Sequence, residues 1–145
     1  MSELNIDATG LIAGRLASVV AKQALLGNRV RVFNCEELWL TGKRTVLIPV
    51  YRHKFKGRGK TRTGPTYSKL PDRFLRRMVR GMLPKGGTEK GRGRQALSRV
   101  ECYIGVPVKF KSPSLTTVAA CSVSHSNALV FTPVKILLRA IGGKI

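Results

Sequence analysis

The sequence predicts an α/β fold with parallel strands, and three stretches predict it. Residues 4–7, Leu-Asn-Ile-Asp, alternate apolar and polar at the two-residue period of a strand. Residues 11–26 change to a helical period, with Leu16, Val19, Val20 and Gln23 on one face. Residues 29–34, Arg-Val-Arg-Val-Phe-Asn, return to alternation. Strand, helix and strand with short links form a βαβ unit, which sets its strands side by side and parallel through a right-handed crossover. A chain of 145 residues, 43% of them apolar, fits one domain. At this length folding hides roughly two thirds of the unfolded surface, enough for a real core.

Each element has a local reason. Ala8-Thr9-Gly10 turns the chain after the first strand. In the helix, Ala24 and Leu26 lie near the apolar face, while Arg15, Ser18 and Lys22 lie elsewhere; Gly27 and Asn28 tolerate a left-handed backbone and stop it. Residues 38–42 are a short apolar element closed by Gly42. Residues 43–55 carry Leu47, Tyr51 and Phe55 on one helical stripe, but Pro49 is expected to kink or split that helix. Residues 52–65 hold three glycines and a Gly-Pro pair and read as a loop. Residues 71–84 are the clearest helix. Pro71 suits its first turn, Asp72 complements the dipole there, and Pro84 ends it. Phe74, Leu75, Met78, Val79, Met82 and Leu83 make its apolar face, and Arg73, Arg76, Arg77 and Arg80 the opposite one. Residues 85–94 read as a second basic loop, 95–100 as a short helix and 101–107 as a strand. Beyond Lys111 the texture is small, polar and weakly patterned. Residues 129–131 are the last strand candidate, followed by a helix capped by Thr132, begun by Pro133 and stopped by Gly142.

The charge sets the function class. Twenty-seven basic residues face seven acids, for a net charge of +20 and a pI near 11.2, and such a surface attracts polyanions. Eighteen of the basic residues but only two acids, Asp72 and Glu89, fall within residues 43–99, whereas the first 42 residues are balanced, four against four. Residues 52–65 alone hold six Arg or Lys, one His and no acid. Solubility would be served by mixed signs, so unpaired cations at this density point to phosphates as their partner. Tyr51, Phe55 and Tyr67 are interleaved with them as stacking platforms for unpaired bases. Nucleic acid is therefore the first partner and an anionic membrane surface the second. No run reaches the length of a transmembrane helix, and the N-terminus lacks the basic start and apolar run of a signal peptide, so the expected place is inside the cell.

Catalytic signatures are weak. Gly10 and Gly14 at the first turn, with Glu36 after the second strand, echo a dinucleotide site, but the required Gly-x-Gly is missing; tight helix–sheet packing is the expected reason for both glycines. Gly59-Lys60-Thr61 ends like a phosphate-binding loop without the earlier glycine or the strand that must lead in. The glycines at 91 and 93 follow no strand either. His53 and His125 are far apart, and no acids are spaced for acid–base work. Cys35, Cys102 and Cys121 have neither disulfide nor metal-ligand spacing and read as buried apolar residues. The expectation is no enzyme, no catalytic residue, no metal, no cofactor and no small-molecule substrate.

Four blocks carry a resemblance: "IDATGLIAGRLAS", "VFNCEELWLTGK", "GPTYSKLPDRFLRRMVRGMLP" and "RGRQALSRVECYIGVP", in order over residues 6–107. The sequence resembles the universal large-subunit ribosomal protein L13 family. The block "RRMVRGMLP" is the most specific, and residues 111–145 look like the C-terminal extension of archaeal members. The resemblance implies a three-layer α/β/α fold with a small, mainly parallel sheet of about four strands. It implies a core of residues 1–111, with 112–145 as an extension on the same domain. It also implies a structural, rRNA-binding protein of the cytoplasmic ribosome with other large-subunit proteins as neighbours. Pro49 departs from a family segment that is helical. By matching position the RNA-facing residues are Arg15, Lys43, Arg44, Arg73, Arg76, Arg77, Arg80, Lys85, Arg92 and Arg94. Charge adds Arg52, His53, Lys54, Lys56, Arg58, Lys60 and Arg62, in a stretch expected to order only on RNA. Two rival readings stand beside this one. An RNA-processing or nucleotide-dependent enzyme on the βαβ start predicts that a nucleotide protects the chain against unfolding. A peripheral membrane protein using the 73–80 face predicts flotation with anionic liposomes, although the core needs that helix's apolar side.

Overall fold

The computed structural model describes residues 2–56, 67–85, 91–110 and 114–143. It opens with the βαβ unit: β1 (Glu3–Asp7), α1 (Ala13–Leu25) and β2 (Arg29–Phe33), with β1 and β2 parallel from Glu3↔Arg29 to Asp7↔Phe33. A third parallel strand, β4 (Val100–Cys102), joins the far side of β2, so the sheet order is β1-β2-β4. On one sheet face Ile6, Val30, Val32 and Val100 join Leu16, Val20 and Ala24 of α1 in the core. The alternate residues point the other way. There Phe33 stacks on Tyr103 and meets Phe110 edge-on, and Arg31 reaches Glu3 at 2.8 Å and Glu101 at 3.1 Å.

β3 (Trp39–Thr41) pairs antiparallel with β5 (Phe131–Pro133), apart from the main sheet. The α/β class and the mainly parallel sheet are therefore as expected, with the strands divided three and two. α2 (Arg44–Lys56), α3 (Pro71–Met82), α4 (Arg92–Ser98) and α5 (Val134–Ala140) complete the helices. The late segment returns to the start of the chain. Thr116 donates its N–H to the Asn5 carbonyl at 2.8 Å and accepts from Asp7 N–H at 3.3 Å, at the outer edge of β1. Val134, Leu137 and Leu138 of α5 are fully buried.

Several local expectations change. α2 runs through Pro49 in one piece and continues to Lys56, so residues 52–56 are helical rather than loop. Proline denies a hydrogen bond to the carbonyl four residues earlier, but Thr45 is exposed at the helix start, where water can satisfy it. α4 begins at Arg92, three residues before the expected start. Thr132 lies in β5 and caps nothing. Its hydroxyl donates to the Gly42 carbonyl at 2.8 Å, tying β5 to the end of β3, and Pro133 is the N-cap of α5 rather than its first residue. Leu129 and Val130 are exposed and precede the strand. Leu26 is 67% exposed at the C-cap of α1, and Met82, the last residue of α3, is 45% exposed while Leu83 beside it is buried. Cys35 and Cys121 are buried as expected, and Cys102 is half-buried.

Candidate nucleic-acid interface

α3 supplies the centre of the basic surface. Its apolar residues Phe74, Leu75 and Val79, with Leu83 just beyond, are buried in the shared core. That fixes the helix rotation and leaves Arg73, Arg76, Arg77 and Arg80 exposed on the other side. Pro71 occupies the first turn after the N-cap Leu70, and Asp72 sits beside the positive end of the helix.

Five of the six acids among the described residues are engaged elsewhere. Among the described residues the ion pairs are Glu3 with Arg29 and Arg31, Glu101 with Arg31, and Glu37 with Lys135. Glu36 accepts the Gly105 N–H with both carboxylate oxygens, at 3.0 and 3.1 Å. Asp7 accepts from Asn34 and from the backbone and hydroxyl of Thr9. Burial alone would raise the Asp7 pKa, but these bonds outweigh it and hold the carboxyl below its ordinary value. Asp72 lies on α3 itself, yet no arginine of α3 forms an ion pair among the described residues.

Two clefts flank the arginine row. The larger, about 690 Å³, runs between α3 and α4 past Arg77, Arg80, Lys85 and Arg94. Its shape depends on Gly93, where an added Cβ would run into the Pro84 carbonyl oxygen; only glycine lets α4 sit this close to the end of α3. The smaller, about 230 Å³, carries Arg73, Arg76, Arg77 and Arg80 around a floor that includes Phe55 and Phe74. Both are mixed clefts with cationic rims, the surface that phosphate backbones favour.

The three aromatics expected to stack on bases come together differently. Tyr51 meets Phe74 at 5.6 Å and Phe55 at 6.3 Å, and Phe55 meets Tyr67 at 5.3 Å between ring centroids. Cations cover two of these rings: the Arg77 guanidinium carbon lies 3.7 Å from the Tyr67 centroid, and Lys54 Nζ lies 5.1 Å from that of Tyr51. The rings pack on one another and on cations instead of standing free as platforms. Burial pushes the Tyr51 hydroxyl pKa up.

The structure thus gathers Arg73, Arg76, Arg77, Arg80, Lys85 and Arg94 in one region. Arg92 opens α4 and is exposed beside it. Other candidates lie apart. Arg15 on α1 donates to the His125 carbonyl at 3.2 Å, and Arg52 on α2 donates to the Ala140 carbonyl at 3.4 Å. The Lys43 carbonyl accepts the first N–H groups of α2, and Arg44, His53 and Lys54 are exposed along that helix. Lys56 is its last residue, while Arg58, Lys60 and Arg62 lie outside the described residues, as does most of the stretch expected to order on RNA. Gly93 and Leu97 belong to the region without having been singled out for it, and Tyr67 belongs to it as the partner of Arg77 rather than as a base platform. Of the first-turn glycines, Gly10 finds a reason in its backbone and Gly14 finds none in the structure. Gly10 has φ +71°, which most side chains resist, and a Cβ on either Gly10 or Gly14 meets open space, so tight packing accounts for neither.

The family model for ribosomal protein L13 matches residues 2–109. The large ribosomal subunit protein uL13 of Methanosarcina barkeri is 45% identical over 115 residues, 79% of this chain and 79% of its own length. That of Methanococcoides burtonii is 33% identical over 139 residues, covering 96% of this chain and 97% of its own. That of Aeropyrum pernix is 42% identical over 112 residues, 75% of this chain and 70% of its own.

Proposed function

The chain belongs to the ribosomal protein L13 family, and from that premise we propose how it serves the large ribosomal subunit. It is a structural component of the cytoplasmic ribosome and not an enzyme. Its α3–α4 face binds large-subunit rRNA, holding neighbouring segments by their backbones and so supporting subunit assembly and stability. The observation that carries this reading is the row of four arginines on α3 without a carboxylate partner among the described residues. Arginine's planar fork suits bidentate phosphate contact, and the clefts beside it admit a curved backbone. The contacts read shape and charge, not base sequence. Residues 1–111 act as the core of one domain, with 112–145 as an extension on it, and other large-subunit proteins are its protein neighbours. No helix among the described residues is long and apolar enough to cross a membrane.

The test is binding of the full chain to large-subunit rRNA transcribed in vitro, measured across a salt series. Each phosphate contact contributes a slope of about −0.7 to −0.9 in log affinity against log salt. A slope of several units is expected; a slope near −1 would mean one or two contacts and would overturn the multi-contact reading.

A further inference from the structure

We propose that Tyr67 is a positioning residue for RNA binding, its ring fixing the Arg77 guanidinium between the two clefts with its hydrogen-bonding edge unpartnered among the described residues. This rests on the reading of the α3–α4 face as the rRNA contact and adds to it which arginine is set in advance, and by what.

Three observations carry it. First, Arg77 and Arg80 line both clefts, so a strand crossing from one cleft to the other passes them. Second, at 3.7 Å the Arg77 guanidinium is in van der Waals contact with the Tyr67 ring. That is the spacing of stacked planes, and a stacked guanidinium meets the ring with its face, whereas its N–H donors point outward within that plane. Stacking therefore leaves the fork available for a phosphate. Arg76 differs, because its Nη2 donates to the Leu97 carbonyl at 3.5 Å. Third, Tyr67 is itself held. The ring series Tyr67–Phe55–Tyr51–Phe74 steps from the surface to a core residue that is 5% exposed. Each ring limits the next, so the position of Arg77 is referred back to the core. A free arginine on a helix surface samples many rotamers and must lose them on binding; one already stacked has lost part of that freedom.

The test is a double-mutant cycle in affinity for in vitro transcribed large-subunit rRNA, with salt slopes and melting temperatures recorded for every variant. Tyr67→Leu should weaken binding roughly two- to fivefold, the scale of one exposed cation–π contact, with the salt slope unchanged because the charge is still there. Tyr67→Phe keeps the ring and should restore the parent affinity. Arg77→Ala should weaken binding further and reduce the slope by about 0.7 to 0.9, one phosphate contact. Adding Tyr67→Leu to Arg77→Ala should cost nothing more, a result that general loss of structure would not give. Equal losses from Tyr67→Leu with and without Arg77, or no loss at all, would overturn the positioning role and leave the rRNA contact standing. An Arg77→Ala variant with parent affinity and slope would overturn both.

Discussion

The outer face of the sheet and the outer face of α3 are both rich in arginine, but they treat charge in opposite ways. On the sheet, Arg31 is held between Glu3 and Glu101, its side chain 15% exposed, with Phe110 packed 5.0 Å beneath its guanidinium. On α3, four arginines stand in solvent over two turns with no acid paired to them among the described residues. Arginine on the sheet closes a structure within the chain; arginine on α3 is left for something outside it. The sign of the charge is the same on both faces, and the placement of the acids among the described residues separates them.

The sharpest way to break the comparison is to attack the floor under the arginines. Phe74→Ala empties a buried site and should cost about 3–5 kcal/mol in urea or thermal unfolding, whereas Met78→Ala, half-buried, should cost clearly less. A silent Phe74→Ala would mean that α3 presents a different face. Next comes Gly93→Ala, whose methyl meets the Pro84 carbonyl; forced displacement of α4 should cost about 1–3 kcal/mol and reshape the larger cleft. On the sheet face, Glu101→Gln removes one partner of Arg31 and should cost about 1 kcal/mol or less, an effect that high salt should diminish.

Asp7 gives a smaller effect with a definite sign. Its folded pKa is depressed, so its stabilisation is present above the ordinary carboxylate pKa and is lost as pH falls through the folded value. The stability gap between parent and Asp7→Asn should therefore be full near neutrality and close in acid, below about pH 4. A gap that does not change with pH would mean that the charge of Asp7 does not contribute. The smallest effect on stability should come from Arg80→Ala, within about 0.5 kcal/mol of the parent, although its RNA binding should fall. If it unfolds the protein, the two faces are not different in kind.

Much of this was legible in the sequence because it depends on local pattern. The βαβ unit followed from alternation at 4–7 and 29–34 around a helical period. The two faces of α3 followed from apolar pairs recurring every turn. What escaped depends on partners distant in sequence. The β3–β5 pair joins three residues at 39 with three at 131, too short to register as strands of one sheet. Thr132 has the chemistry of a cap, and only its proximity to Gly42 shows where its hydroxyl goes. Gly93 reads as a loop glycine until Pro84 is seen against it. Matching position picked out the cations of the cleft region and Arg15, and charge added Arg52; only the fold shows that Arg15 and Arg52 donate to the His125 and Ala140 carbonyls. Tyr67 and Arg77 are ten positions apart in one block, and no spacing rule brings the two side chains together.

The difference between the two faces has one direct measurement. Binding to in vitro transcribed large-subunit rRNA should be followed across a salt series for Arg80→Ala and for Arg29→Ala, two exposed arginines of which, among the described residues, only Arg29 has a carboxylate, Glu3, within 3.5 Å. If the α3 face meets the phosphates, Arg80→Ala lowers the salt slope by about 0.7 to 0.9, one released counterion's worth, and Arg29→Ala leaves it unchanged. Equal reductions in both, or a change in Arg29→Ala alone, would contradict the assignment of the α3 face to RNA.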